Sequence, residues 1–143
     1  MLKVGDSYAQ SFTATDQTIR DIAKVSGDIN PIHLDEAYAS KSIFGRRIAH
    51  GLFCLNAISM ILGNHFPGMG TILLSQSFEY KAPVYIGDVI TVEVTVTEAM
   101  PKGVYLLSVV CQDQNRRKVL TGISKVKLLP PMTQFSWMEQ LLP

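Results

Sequence analysis

Gly51-Leu-Phe-Cys-Leu-Asn-Ala-Ile-Ser-Met-Ile-Leu62 is the stretch that decides the fold. Its only polar side chains are Asn56 and Ser59, so it reads as a helix that is apolar on nearly every side, and such a helix is a buried one. The run is too short to span a bilayer, so its cover has to come from protein. Gly63-Asn64 is expected to stop it, with Pro67-Gly68 a little further on.

The cover lies downstream. Thr71 to Lys81, Asp88 to Glu98, Gly103 to Asp113 and Lys118 to Leu129 read as four strands, separated by Pro83…Gly87-Asp88, Pro101-Lys102-Gly103 and Gln114-Asn115-Arg116. Val92, Val94 and Val96 fall on one face of the second strand, while Thr91, Glu93, Thr95 and Thr97 fall on the other. One face of the sheet is therefore buried and one is wetter. Consecutive strands with short connections pair mostly antiparallel. The expected architecture is α+β: a long buried helix wrapped by an antiparallel sheet.

Upstream, Val4 to Ala14 reads as an edge strand or extended arm. Thr15 or Asp16 caps a helix through about Ser26, and Gly27 ends it. Next comes Gly27-Asp28-Ile29-Asn30-Pro31-Ile32-His33, which sets a carboxylate and an imidazole on either side of a dipeptide that cannot continue a helix. The chain has to turn there, and the turn can bring Asp28 and His33 to one side so that an acid and a base share a water. After this loop, Asp35 is expected to begin a short helix through about Lys41. Ser42 to Ile48 then connects to the apolar run and carries Arg46 and Arg47, a pair more often solvated than functional. His50-Gly51 opens the apolar helix, where free backbone N–H groups are offered to an anion. Each piece has an ordinary structural use, since Asn-Pro and Gly-Asp are common turn chemistry. The combination at this spacing favours a functional site.

Composition narrows the function. At 143 residues the chain is expected to form one domain over 1–131, with 132–143 an apolar extension packed on the domain or on a partner. Hydrophobic residues make up 47% and charged residues 17%, which leaves apolar surface for a partner. A net charge of +1 with scattered basic residues gives no nucleic-acid footprint. The N-terminal residues have no apolar signal region, and no segment has the length of a membrane span, so a cytoplasmic protein with no membrane partner is expected. Cys54 and Cys111 read as small buried hydrophobes without metal-type spacing, so no metal is expected.

Three blocks in order, Asp28-x-Asn30-Pro31-x-His33-x-Asp35, Ile48-x-His50-Gly51 and Phe78…Lys81-x-Pro83-Val84…Gly87-Asp88, resemble the MaoC-like (R)-specific enoyl-CoA hydratases over residues 4 to 129. The resemblance implies the hot-dog fold and reversible syn hydration of a trans-2-enoyl-CoA to an (R)-3-hydroxyacyl-CoA. It implies Asp28 and His33 as the catalytic pair and the Gly51 backbone N–H as the donor to the thioester oxygen. Asn30, His50, Ser59, Leu62 and Lys81 are the implied substrate-binding positions. No cofactor is expected beyond the coenzyme A of the substrate, and a homodimer is implied. The alternatives are a 3-hydroxyacyl-ACP dehydratase and, less favoured, a thioesterase or a non-catalytic acyl-thioester-binding subunit.

Overall fold

The structure is a computed structural model that describes residues 1–130. The expected extension, 132–143, lies outside the described residues.

The chain runs β1 (Ser7–Thr13), α1 (Asp16–Ser26), α2 (Pro31–Leu34), α3 (Glu36–Ala39), α4 (Leu52–Asn64), β2 (Thr71–Tyr80), β3 (Val89–Met100), β4 (Val104–Gln112) and β5 (Lys118–Leu128). The strands form one antiparallel sheet in the order β1-β3-β4-β5-β2. The segment expected at the edge is indeed an edge strand, and β2 is the other edge.

The period of two in β3 and β4 explains which face is covered. Val92, Val94 and Val96 are buried on β3, and Tyr105, Leu107, Val109 and Cys111 are buried on β4, with their alternate neighbours more exposed. The buried face closes on α4, whose Phe53, Cys54, Ala57, Ile58, Ile61 and Leu62 join it in one core. Removing a side chain such as Ile58 from that core would cost about 2–5 kcal/mol.

Helix α4 departs from expectation in two ways. It is not buried all round: Leu52, Asn56, Ser59 and Gly63 form an exposed stripe. These positions recur at spacings of four, three and four, which places them on one helical face. Nor do Gly63 and Asn64 stop the helix, which includes both. Gly63 points into open space, and the chain leaves the helix at His65, whose N–H still bonds to the Ile61 carbonyl at 2.9 Å.

Helix α1 is capped as expected, with the Thr15 side chain accepting from the Thr18 N–H at 3.1 Å and Gly27 closing it at φ +77°. The expected helix from Asp35 through Lys41 is shorter and is preceded by another. Pro31 starts the single turn α2, because its fixed φ suits a first helical position and its missing N–H is not needed there. Asp35 ends α2 and caps α3, its side chain accepting from the Tyr38 N–H at 3.0 Å. His33 therefore sits on a helical turn rather than on a loop. Among the described residues no helix is long and apolar enough to cross a membrane.

Candidate active site

The turn after α1 is built by side chains bonding to their own backbone. Asp28 Oδ1 accepts from the Asn30 N–H at 3.1 Å, and the Asn30 side chain accepts from the Ile32 N–H at 3.2 Å to cap α2. These bonds leave Asp28 Oδ2 turned toward the His33 ring, 3.9 Å from Nε2. Asn30 thus shapes the turn, and its side chain is used in doing so.

The segment before α4 staples this turn to the sheet. The Ile48 N–H donates to the Ile32 carbonyl at 3.3 Å, and the Ala49 N–H donates to the Val84 carbonyl at 2.7 Å. The Ile48 carbonyl lies 2.8 Å from His33 Nδ1. A carbonyl can only accept, so Nδ1 carries the proton and Nε2 presents its lone pair toward Asp28. His50 follows the same logic: its Nε2 lies 2.9 Å from the Asp28 carbonyl and is the protonated nitrogen. Its Nδ1 is buried with no hydrogen-bond partner among the described residues. The two imidazoles stack, with centroids 3.9 Å apart. His33 therefore packs on His50.

The surroundings keep His33 neutral. Burial is the largest influence and lowers its pKa below the usual 6.5; the Ile48 carbonyl works against this, as does the Asp28 carboxylate, while His50 and Arg47 push further down. The imidazole is thus in its unprotonated form at neutral pH.

Gly51 stands at the head of α4 with φ −54° and ψ −30°, a backbone that any residue adopts. What requires glycine is space, because a Cβ there would stand 3.0 Å from Tyr80 Oη and 3.1 Å from its Cζ. The Tyr80 hydroxyl donates to the Gly51 carbonyl at 3.1 Å. Among the described residues no group accepts from the Gly51 N–H, which lies where a helix start concentrates positive potential.

A cleft of about 370 Å³ opens over these groups, lined by His33, His50, Gly51 and Cys54 on one side and by Tyr80 to Val84 on the other. Lys81 lines it while paired with Glu79. His33, His50, Gly51 and Lys81 therefore meet at one cleft, with Asp28 beside His33. Ser59 and Leu62 do not join them within one chain: Ser59 is on the exposed stripe of α4, and Leu62 is in the core. Asp28, His33 and His50 each offer one ligand atom within 4.8 Å of the others, a donor set suited to a divalent cation, although each imidazole already spends one nitrogen on a carbonyl.

A family profile described as MaoC like domain matches residues 3–113. The chain belongs to the MaoC-like family. It is 41% identical over 101 residues to a 3-hydroxybutyryl-CoA dehydratase of Methylorubrum extorquens, a match taking in 71% of this chain and 64% of that relative. It is 37% identical over 128 residues to an (R)-specific enoyl-CoA hydratase of Aeromonas caviae, covering 89% of this chain and 96% of the relative. The solved (R)-hydratase of A. caviae superposes with a TM-score of 0.86 at 36% identity, over 90% of this chain and 98% of that one. The MaoC-like fold is thus the α+β hot-dog arrangement that the sequence motifs implied.

Two residues at this MaoC-like site escaped sequence reasoning. The sequence favours a solvated Arg47, yet its side chain is mostly covered, bonded to the His33 main chain and paired with Asp16 of α1. The available signal was its place next to the inward-packing Ile48-Ala49 pair. Tyr80 gave no sequence signal, because only the tertiary fold brings the end of β2 over Gly51.

Proposed function

We infer that this protein is a hydro-lyase that adds water reversibly to trans-2-enoyl-CoA to give (R)-3-hydroxyacyl-CoA. The observation that carries the reading is the pairing of a carboxylate with a neutral imidazole whose free nitrogen faces it across 3.9 Å, next to an N–H at a helix start that has no acceptor among the described residues.

Both groups facing that gap are acceptors. A water lodged there donates one hydrogen to Asp28 and one to His33, which leaves its oxygen lone pair directed away from them as a nucleophile toward C3. Attack forms the C3–O bond and moves the C2=C3 π electrons to C2 and onward to the thioester oxygen. The Gly51 N–H stabilises that oxyanion without reorganising, a contribution typically on the order of a hundredfold or more. The proton taken from water is returned to C2 from the same side, and the net reaction adds water syn. The pair and the N–H supply every role, so we read the reaction as needing no cofactor beyond the substrate's coenzyme A.

The exposed stripe of α4 and the apolar residues Ile72, Leu73 and Leu74 on edge strand β2 support a homodimer, because an open edge with an apolar face favours a second copy. Ser59 would then face that copy. The substrate class fits a cytoplasmic location. A 32% identical mitochondrial 3-hydroxyacyl-[acyl-carrier-protein] dehydratase of Arabidopsis thaliana keeps the reverse reaction on a carrier-protein thioester as the second reading. Loss of the enoyl-thioester absorbance of crotonyl-CoA tests the first reading. Turnover only with acyl-carrier-protein thioesters would select the second.

A further inference from the structure

Arg47 is a mostly covered charge beside this site to which the hydration chemistry gives no role. Its side chain is only 11% exposed. Its Nε–H donates to the His33 carbonyl at 2.7 Å, and its Nη2 lies 2.7 Å from Asp16 Oδ1, an ion pair not aligned as a hydrogen bond. Asp16 opens α1 and also accepts from Arg20 Nε at 2.9 Å. The neighbouring Arg46 does something different, lying exposed over the Tyr85 ring at 3.9 Å. Desolvating a guanidinium is costly, so placing one here requires compensating partners, and it has two.

His33 is consequently held at both ends. Ile48 orients the ring, and Arg47 holds the main chain. We propose that Arg47 is a positioning residue for hydration, clamping the His33 backbone to the first turn of α1 through Asp16 and setting a fixed positive charge beside the base. The proposal rests on the reading of His33 as that base.

The charged and titratable groups that face the imidazole are Asp28 from the turn, His50 from the head of α4 and Arg47 from the connecting segment, with Asp16 behind Arg47. Removing the guanidinium leaves the two carboxylates unopposed on that side. Protonation of His33 becomes easier, so its pKa rises.

The test uses Arg47→Met, Arg47→Lys and Asp16→Asn in the full chain. For each, kcat and KM for crotonyl-CoA are measured against pH, the Cε1–H resonance of His33 is titrated by NMR in the resting protein, and Tm is recorded. The chain has three histidines, and His33→Gln assigns the signal. Arg47→Met is expected to lower kcat by about tenfold or more with little change in KM, since small misplacements of a catalytic group are expensive. It should also move both the acid limb and the NMR titration upward. Arg47→Lys is expected to keep the titration near that of the parent while losing part of kcat, because one ammonium cannot reproduce the forked contacts. Asp16→Asn should lower kcat without moving the limb upward, since the Arg47 charge stays in place.

An Arg47 that only stabilises the fold would lower Tm while leaving kcat, limb and titration unchanged in the folded variants, and that result overturns the proposal. If Arg47→Met fails to fold, parent-like kcat in Arg47→Lys overturns it equally. A parent protein that hydrates no enoyl-CoA refutes the hydratase reading instead, a failure separable from that of Arg47 because the NMR titration needs no turnover.

Discussion

His33 Nε2 and Asp28 Oδ2 stand 3.9 Å apart, too far for a direct hydrogen bond and well suited to a shared water. On the proposed mechanism the pair acts as one unit around that water. Asp28→Asn and His33→Gln keep size and some hydrogen bonding but remove proton transfer, so each is expected to lower kcat by about a hundredfold or more. The double variant should lose little beyond either single one, because the water is already unactivated. Steady-state kinetics with Tm on the same samples checks this, and fully multiplicative losses would show two independent roles.

The pH profile follows from the depressed pKa of His33. Protonation removes the Nε2 lone pair, so kcat/KM should fall on the acid side through a limb below 6.5 and stay flat above it until another group titrates. Stability moves in the same direction. A group whose folded pKa is lowered contributes fully above its unfolded value, and that contribution is lost as pH falls through the folded one. A limb lying above 6.5 would contradict the environment assigned to His33.

Gly51→Val tests the oxyanion donor. The backbone at Gly51 suits any residue, so the variant should fold, but its side chain must displace Tyr80 and crowd the N–H. Turnover is expected to fall by about a hundredfold, in line with loss of such a donor, while Tm changes little. Parent-like turnover removes the role given to this N–H.

Gly122 carries a different constraint. A Cβ there would overlap the Ser77 carbonyl oxygen and the Phe78 ring and stand 2.9 Å from Phe78 Cα, because β2 and β5 approach very closely at this point. Gly122→Ala forces backbone apart and is expected to destabilise by about 1–3 kcal/mol or more. Urea denaturation gives the value, and an unchanged midpoint would show that the strands separate freely.

Sedimentation at working concentration should show a dimer, and Leu73→Lys with Leu74→Lys on the edge of β2 should shift it toward monomer. A monomeric parent protein with full activity counts against the assembly.

Much of this architecture was legible because local pattern and global fold agree. The alternation of Val92, Val94 and Val96 named the covered face, and the apolar run from Gly51 named the covering helix. The exposed stripe of α4 was missed because Leu52 and Gly63 are not polar, so Asn56 and Ser59 looked isolated. Helix α2 was missed because Pro31 was read as a breaker when here it is a starter. At the site, Asp28, His33 and Gly51 were visible as turn and helix-start chemistry. The depressed His33 pKa, the Tyr80 contact and the Arg47 clamp depend on packing between segments far apart in the chain, which no local pattern encodes.

The most direct measurement is chiral analysis of the product formed from crotonyl-CoA by the parent protein and by Asp28→Asn, extended over a panel of enoyl-CoA chain lengths. The account predicts (R)-3-hydroxybutyryl-CoA from the parent and almost none from the folded variant. An (S) product, hydration at the parent rate by Asp28→Asn, or no hydration of any enoyl-CoA by the parent would contradict it.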